Sequence, residues 1–254
     1  MKVLLINLDR HRDRLAHMCK QLSGIPFERI AAVDGSSMPE TVRGLTRFEL
    51  ACLESHRIAW RHFLKSSEDR ICVVEDDLHV WPGFAELVGD GAWTPVDAHC
   101  VKLDTYRQKV RLGERSPALS SREIARLYTR HHSSAAYVMT RRGAERYLEL
   151  TAKPKAPADY ALFPKNPRRL GLCIYQLVPA IAIQDHLVAR EDGGQRFATT
   201  MTEVQGDRAR RWRVLRPSKL GRETARFATK FVDLIQAAYE KASLRVETTT
   251  VPVG

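Results

Sequence analysis

The chain has 254 residues, of which 44% are hydrophobic and 28% are charged. This length suffices for one large domain or two small ones, and the composition excludes a disordered tail, a collagen-like fibre and a disulfide-stapled miniprotein. The formal net charge of +11 predicts an anionic partner, which the charge alone leaves open among a nucleotide, a phospholipid surface, an acidic glycan and a nucleic acid.

The amino-terminal part of the chain alternates short apolar runs with segments of helical spacing. The run 2–6 predicts a strand buried on both faces, and 9–21 predicts a helix whose apolar residues share one stripe. The same patterns recur as a strand over 27–33, a helix over 48–64 and a strand over 71–74. This order predicts an α/β fold in which helices flank a mostly parallel central sheet.

The middle of the chain continues the alternation with one interruption. The polar stretch 105–122 contains few apolar residues and is interpreted as a loop. The other predicted elements are a helix near 83–88, strands over 100–103 and 135–139, a helix over 141–150, a proline-rich connection over 153–167 and a return to the core over 172–183.

The carboxyl-terminal residues differ in character, which predicts a boundary between a domain at 1–200 and a basic, partly helical extension at 201–254. The segment 205–230 contains nine lysines and arginines but only two acidic residues, and apolar residues recur at helical spacing from Phe227 to Ile235. We predict that the extension lies outside the sheet and contacts an anionic membrane surface peripherally. The alternative is that its apolar stripe packs on the domain.

The five cysteines are odd in number, widely spaced and mostly set in apolar runs. These features favour reduced core thiols over disulfides or a zinc site. No run reaches the ~18 apolar residues of a membrane span, and the run that begins at Val3 is too short for the apolar region of a signal peptide. We therefore expect a protein that stays in the cytoplasm.

Polar clusters follow three of the predicted strands. They are Asn7-Leu8-Asp9-Arg10, Asp34-Gly35 and the acidic triplet Glu75-Asp76-Asp77. Since ligands bind outside the carboxyl ends of the strands in open α/β sheets, we expect these clusters to converge. If the chain stays extended past Val74, Glu75 and Asp77 point to one side and Asp76 to the other. Two carboxylates on one side repel each other, and a hard cation such as Mg²⁺ or Mn²⁺, or basic neighbours, must offset this cost; a solvated acidic turn is the alternative.

The clusters belong to a longer pattern. It comprises Ile6-Asn7-Leu8-Asp9-Arg10 with Arg14, Ala32-Val33-Asp34-Gly35, Glu49 to Cys52 leading into Ser55-His56 and Trp60, and Val73-Val74-Glu75-Asp76-Asp77. In content and order it resembles glycosyltransferase family 25, which contains lipooligosaccharide galactosyltransferases and related lipopolysaccharide enzymes. The resemblance is specific over 3–88 and weaker over 134–186. Ala51 and Glu54 depart from the family pattern, at positions that bear on loop geometry and acceptor choice.

The resemblance implies a GT-A-type nucleotide-diphospho-sugar transferase fold and an inverting transfer from a UDP-sugar. The expected hexose is galactose, and the expected acceptor is a glycan or lipid-linked oligosaccharide of a lipooligosaccharide or lipopolysaccharide core. The resemblance also implies Mn²⁺ or Mg²⁺ as cofactor, because a departing nucleoside diphosphate gains negative charge that a divalent cation stabilises.

Individual roles are carried over to matching positions. Asp77 is the first expected metal ligand, and His186 is expected to complete the metal shell. Asp159 is the expected base for the acceptor hydroxyl, with Asp104 in reserve. The residues expected to hold the donor nucleotide are Asn7, Leu8, Arg10, Arg14, Asp34, Ser55, His56, Glu75 and Asp76. The alternatives without a function are a solvent-facing helix charge for Arg14 and a packing role for His56. His131 and His132 are interpreted as loop histidines.

A function of a different class is a basic protein that binds nucleic acid or anionic lipid through 205–230, with the α/β domain as a scaffold. The acidic triplet argues against this reading, because a protein that contacts phosphate backbones gains nothing from three carboxylates without a metal. No helix-turn-helix, zinc-knuckle or RNA-binding aromatic signature accompanies the basic segment. We therefore predict an enzyme without a nucleic-acid partner.

Overall fold

The protein is built around one large β-sheet with helices on both faces. The structure is a computed structural model that describes residues 1–38, 41–42, 44–119, 121–188, 197 and 245–254. The helices are α1 (Arg12–Gln21), α2 (Arg47–Leu64), α3 (Phe84–Gly89), α4 (Arg141–Leu150) and α5 (Ala158–Leu162). The strands are β1 (Lys2–Asn7), β2 (Phe27–Ala31), β3 (Thr41–Val42), β4 (Leu45–Thr46), β5 (Arg70–Glu75), β6 (Leu78–Val80), β7 (Cys100–Lys102), β8 (Lys109–Pro117), β9 (Glu123–Leu127), β10 (Ala136–Thr140), β11 (Ile174–Val178), β12 (Ala182–Gln184) and β13 (Glu247–Thr250).

Each face of the sheet has its own hydrophobic core. On one face α2 and α4 bury Trp60 and Tyr147 against the sheet. On the other face α1 and α3 bury Met18 and Leu87. Successive residues of β5 contribute to the two cores in turn, so both faces of this strand are covered. This arrangement confirms the predicted α/β fold and explains why the strand reads as a continuous apolar run.

The prediction of a mostly parallel sheet is wrong. The nine strands follow the order β13-β8-β9-β11-β7-β10-β5-β1-β2. β1 is parallel to β2 and β5, and β11 is parallel to β7, whereas β10 runs antiparallel between β5 and β7. The pairs from β11 through β9 and β8 to β13 are also antiparallel. The link between β8 and β9 is too short for the crossover that a parallel pair requires, so the sheet is mixed.

The prediction of a loop over 105–122 is also wrong, because β8 occupies half of it. Few residues of this strand are apolar, and its second half, from Glu114 to Pro117, is exposed. Val110 and Leu112 are buried and supply its contact with the core. A strand near a sheet edge with a solvated surface lacks the apolar run by which strands are recognised in sequence.

The last residues of the chain correct the predicted extension. β13 pairs with the outer edge of β8, and Val251 is buried, so these residues belong to the sheet. The basic segment 205–230 and the apolar stripe from Phe227 lie outside the described residues, as does the predicted boundary at 200. Peripheral contact with an anionic membrane therefore stays a prediction. Among the described helices, none has the length and apolar character needed to cross a bilayer.

The start of α2 is fixed by local chemistry. Thr46 caps the helix by accepting a hydrogen bond from the Glu49 backbone amide at 3.2 Å, and the Glu49 carboxylate accepts one from the Thr46 amide at 2.9 Å. Gly35 lies against this first turn, where a Cβ atom would stand only 2.9 Å from the Phe48 Cα. The close approach accounts for glycine in Asp34-Gly35 and lets α2 begin directly against this turn.

Candidate functional site

A cavity of about 410 Å³ lies at the carboxyl ends of β1, β2 and β5. Residues that follow all three strands line it, which confirms that the polar clusters converge. The predicted site residues that line the cavity are Asn7, Leu8, Arg10, Arg14, Ser55, His56, Glu75, Asp76, Asp77, Asp159 and His186. Asp34 does not line it. Its carboxylate instead pairs with Arg10 and accepts a hydrogen bond from the Ser36 amide at 2.8 Å, so it orients Arg10 from behind the cavity wall.

Asp76 is buried and held by two residues from the amino-terminal end of the domain. Asn7 Nδ2 donates to one carboxylate oxygen at 2.7 Å, and Arg14 Nη1 donates to the other at 2.9 Å. Both oxygens are therefore satisfied, and the charge is paired. Arg14 is buried in this pair, which excludes the alternative of a solvent-facing helix charge.

Glu75 is oriented by a chain of buried hydrogen bonds. Its Oε1 accepts from Ser134 Oγ at 2.8 Å and lies 3.2 Å from His56 Nε2. His56 Nδ1 lies 2.9 Å from the Tyr137 hydroxyl, to which Trp60 Nε1 donates at 2.8 Å. Since the indole can only donate, the Tyr137 hydrogen is left for His56 Nδ1, and His56 Nε2 donates to Glu75. Burial opposes ionisation of Glu75, but the hydrogen bonds from His56 and Ser134 hold its pKa below the ordinary value.

Asp77 has the least compensated charge of the triplet. Among the described residues, its carboxylate has one side-chain donor, Gln184 Nε2, at 3.3 Å from each oxygen. Burial, followed by repulsion from Glu75 and Asp76, raises the pKa of Asp77 to about 7. The chain turns at Asp76 and Asp77 instead of staying extended, so the predicted alternation does not apply. All three carboxylates face the same cavity.

The raised pKa of Asp77 predicts a pH-dependent gain from its removal. The pKa of this carboxyl is about 7 in the folded protein and 3.8 at its ordinary value, which applies to the unfolded chain. The folded state therefore binds the proton more tightly, and the free energy of unfolding falls as the pH rises from about 4 to about 7. In metal-free buffer, Asp77→Asn should therefore raise the Tm by roughly 5 °C at pH 8 and much less at pH 5. Thermal unfolding with EDTA at both pH values measures this, with Asp90→Asn as the exposed control. Equal shifts at the two pH values would contradict the assignment.

The donors around Asp77 fit a hard divalent cation. Asp77 offers two weakly engaged oxygens, and His186 Nδ1 is buried without a hydrogen-bond partner among the described residues. Burial lowers the pKa of His186, which favours the neutral, ligating imidazole at neutral pH. The Asp185 amide donates to the Asp77 carbonyl at 2.8 Å, which joins the two segments. These groups suit Mn²⁺ or Mg²⁺.

A second group of metal-binding atoms is softer in character. The ligand atoms of Cys52, His56 and Glu75 lie within 4.8 Å of one another. His56 Nε2 carries the hydrogen that faces Glu75, so a metal here would require the other imidazole tautomer and would break the bond from Tyr137. Coordination at this group would therefore disrupt the hydrogen bonds that orient Glu75.

Asp159 lies in the cavity wall at the start of α5. Its Oδ1 accepts from the Tyr160 amide at 2.9 Å, and its Oδ2 lies 3.4 Å from His132 Nδ1. The reserve candidate Asp104 is fully buried, forms a 2.8 Å ion pair with Lys102 and does not line the cavity. Asp104 is therefore placed to stabilise the interior and not to contact a ligand.

Sequence reasoning missed several residues of the cavity wall. Both histidines at 131–132 lie in a loop, as predicted, but their contacts were not foreseen: His131 is buried and bonds Gln176 at 2.7 Å, whereas His132 lines the cavity. Tyr106 lies in the stretch interpreted as a loop, and Tyr160 adjoins Asp159. His132, Tyr106 and Tyr160 do not recur at a regular spacing in the sequence. Only the position of Tyr160 next to Asp159 could have indicated a place in the site.

Known proteins with similar sequences are glycosyltransferases or lipooligosaccharide biosynthesis proteins. The model of glycosyltransferase family 25, described as an LPS biosynthesis protein, matches residues 1–162. The lacto-N-neotetraose biosynthesis glycosyltransferase LgtB of Neisseria meningitidis is 28% identical over 206 residues, which cover 71% of this chain and 73% of the relative. The lipooligosaccharide biosynthesis protein lex-1 of Haemophilus influenzae is 26% identical over 157 residues, or 58% of this chain and 52% of the relative.

Among solved structures, mannose-1-phosphate geranyltransferase from Thermus thermophilus aligns with a TM-score of 0.38 and 9% identity over 69% of this chain and 72% of that one. This TM-score is too low to support any assignment. The family model, in contrast, covers more than half of the chain and includes β1, β5 and Asp159. The chain therefore belongs to glycosyltransferase family 25 and is a glycosyltransferase.

Proposed function

We propose that the protein transfers a hexose, expected to be galactose, from a UDP-sugar to a lipooligosaccharide or lipopolysaccharide core, with inversion at the anomeric carbon. The observation that carries the proposal is the cavity at the strand ends, in which a buried, poorly compensated Asp77 stands beside the cationic residues of the β1 side. Family membership and the names of the relatives support the reaction class and the kind of acceptor. A GT-A-type fold is part of this proposal.

The donor is proposed to bind over β1 and β2. Arg10 is paired with Asp34 but partly exposed at the cavity, so its guanidinium can also contact a diphosphate, whereas Arg14 is buried in its pair with Asp76. Asp76, which Asn7 orients, holds Arg14 in place, and Asp34 holds Arg10. Leu8, Ser55 and His56 complete this wall, where Ser55 Oγ accepts from the Val33 amide at 2.9 Å and fixes α2 to the end of β2.

Asp77 and His186 are the residues that would hold Mn²⁺ or Mg²⁺. When bound, such a cation supplies Lewis-acid stabilisation of negative charge on a departing diphosphate. Glu75 remains an oriented hydrogen-bond acceptor in the cavity wall, because His56 and Ser134 engage only its Oε1.

Asp159 is proposed to act as the base. In a single displacement, the acceptor oxygen forms a bond to the anomeric carbon as the bond to the diphosphate oxygen breaks, and the hydroxyl proton passes to Asp159. The Tyr160 amide fixes Oδ1, and Oδ2, which lies 3.4 Å from His132 Nδ1, is the oxygen proposed to take that proton. The alternative of a nucleic-acid or lipid-binding scaffold loses its basis, because the chain belongs to an enzyme family.

A UDP-release assay tests the proposal. UDP-galactose, UDP-glucose and UDP-N-acetyl sugars are each supplied with isolated lipooligosaccharide core, with Mn²⁺ and with EDTA. We expect one preferred donor, with release abolished by EDTA and restored by excess Mn²⁺. Release from none of these donors would reject the UDP-sugar assignment, and full activity in EDTA would reject the metal assignment.

A further inference from the structure

The cavity has two chemically different halves, which the sheet order separates. The acidic triplet follows β5, with β1 and β2 on one side of it and β10 and β7 on the other. The half over β1 and β2 carries Arg10 and Arg14, whereas the half over β10 and β7 carries aromatic rings and Asp159. Arg10 is partly exposed beside its ion pair with Asp34 and can contact a diphosphate, whereas Asp159 repels one in the second half. The second half therefore suits an uncharged ligand.

Three rings form a continuous row in this second half, called here the aromatic wall: Tyr106, His132 and Tyr160. The centroids of Tyr106 and His132 are 5.5 Å apart, and those of His132 and Tyr160 are 5.4 Å apart. All three side chains are half-buried and line the cavity. The Arg130 guanidinium lies 3.7 Å from the centroid of Tyr160 and supports that end of the row.

Hydrogen bonds fix the segments that carry the aromatic wall. The Tyr106 amide donates to Nε2 of the buried His131 at 3.1 Å. Gln108 joins the same two segments, because its amide donates to the Arg130 carbonyl at 2.9 Å and its oxygen accepts from the His132 amide at 3.2 Å. The rings are thus preorganised, which lowers the entropic cost of binding against them.

The aromatic wall spans the distance between two proposed functional groups. The ring centroids of Tyr106 and His186 are 6.0 Å apart, and His132 Nδ1 lies 3.4 Å from Asp159 Oδ2. A molecule that rests on the rings therefore presents its hydroxyls beside Asp159. Pyranose rings combine C–H groups, which pack on the negative faces of aromatic rings, with hydroxyls at their rim.

We propose that the aromatic wall of Tyr106, His132 and Tyr160 is the acceptor subsite and binds one neutral pyranose of the acceptor glycan. This inference rests on the proposed function, since it assigns the other half of the cavity to the donor. Stacking requires the rings and not the tyrosine hydroxyls. Phenylalanine should therefore preserve binding at positions 106 and 160, and leucine should weaken it.

The test measures binding of the methyl β-glycosides of glucose, galactose and N-acetylglucosamine to the full chain by ligand-observed NMR, with UDP and Mg²⁺ present. Wild type, Tyr106→Phe and Tyr160→Phe should bind at least one glycoside. Tyr106→Leu and Tyr160→Leu should bind it about tenfold more weakly. UDP affinity, measured by calorimetry, should be unchanged in all variants. Tyr175→Leu, at a half-buried tyrosine outside the cavity, is the matched control, and a Tm for each variant confirms folding.

Three results would overturn the proposal: no glycoside binding by wild type, unchanged glycoside binding by the leucine variants, or a parallel loss of UDP affinity, which would place the nucleotide base on the rings. UDP release from UDP-sugars, measured on the same samples, separates this proposal from the proposed function. If wild type cleaves no UDP-sugar but the glycoside pattern holds, only the UDP-sugar function fails. If UDP-sugars turn over and the leucine variants bind glycosides normally, only the aromatic wall fails.

Discussion

Asp77→Ala is expected to abolish sugar transfer, with a loss of about 10³-fold or more, while the protein stays folded. Asp77 lies in a turn at a strand end, is held by one weakly bonding amide and packs no hydrophobic core, so its removal costs little stability. Asp77→Asn should be almost as damaging, because the amide keeps the shape but loses the charge that would hold a cation. Initial rates of UDP release and the dependence on Mn²⁺ concentration measure both effects.

The two Asp77 variants also separate a functional role from a structural one. Asp77→Asn is expected to be more stable than wild type at pH 8 without metal and yet inactive, a combination that damage to the fold cannot produce. Asp90→Asn, at an exposed carboxylate outside the cavity, should leave turnover unchanged. Near-normal UDP release by either Asp77 variant, with unchanged metal dependence, would mean that Asp77 holds no cation needed for turnover.

Asp159→Asn is expected to lower kcat by roughly 10²-fold or more with little change in UDP affinity. The amide can still accept the hydrogen bond from the Tyr160 amide, so the geometry at the start of α5 is preserved. What is lost is the ability to accept a proton from the acceptor hydroxyl. Steady-state kinetics with saturating donor, together with calorimetric UDP binding, measure the two quantities separately.

The position of Asp159 makes the opposite outcome informative. If Asp159→Asn weakened UDP binding at normal kcat, the residue would belong to the donor side of the cavity. Asp104 would not then replace it, because Asp104 is fully buried in its ion pair with Lys102. Asp69→Asn, at an exposed carboxylate outside the cavity, controls for nonspecific effects of removing a charge.

The sequence alone was sufficient to predict the elements whose apolar residues form a continuous run or a regular repeat. The apolar runs of β1 and β5 are continuous because helices cover both faces of these strands, and this burial leaves a signal in consecutive residues. Convergence of Asn7, Asp34-Gly35 and the acidic triplet was predictable for the same reason, since β2, β1 and β5 are adjacent and parallel and their carboxyl ends meet.

Only the tertiary structure decided the features that depend on residues distant in sequence. The antiparallel insertion of β10 between β5 and β7 leaves no local pattern, because an apolar run looks alike in either direction. β8 is polar since part of its surface is solvated, and β13 completes its edge from the far end of the chain. Tyr106, His132 and Tyr160 come from three separate segments, so their row exists only after folding. The sequence predicts that Asp34 binds the nucleotide, but its carboxylate instead pairs with Arg10 and accepts a hydrogen bond from the Ser36 amide. These contacts depend on the folded arrangement and cannot be inferred from the residue type.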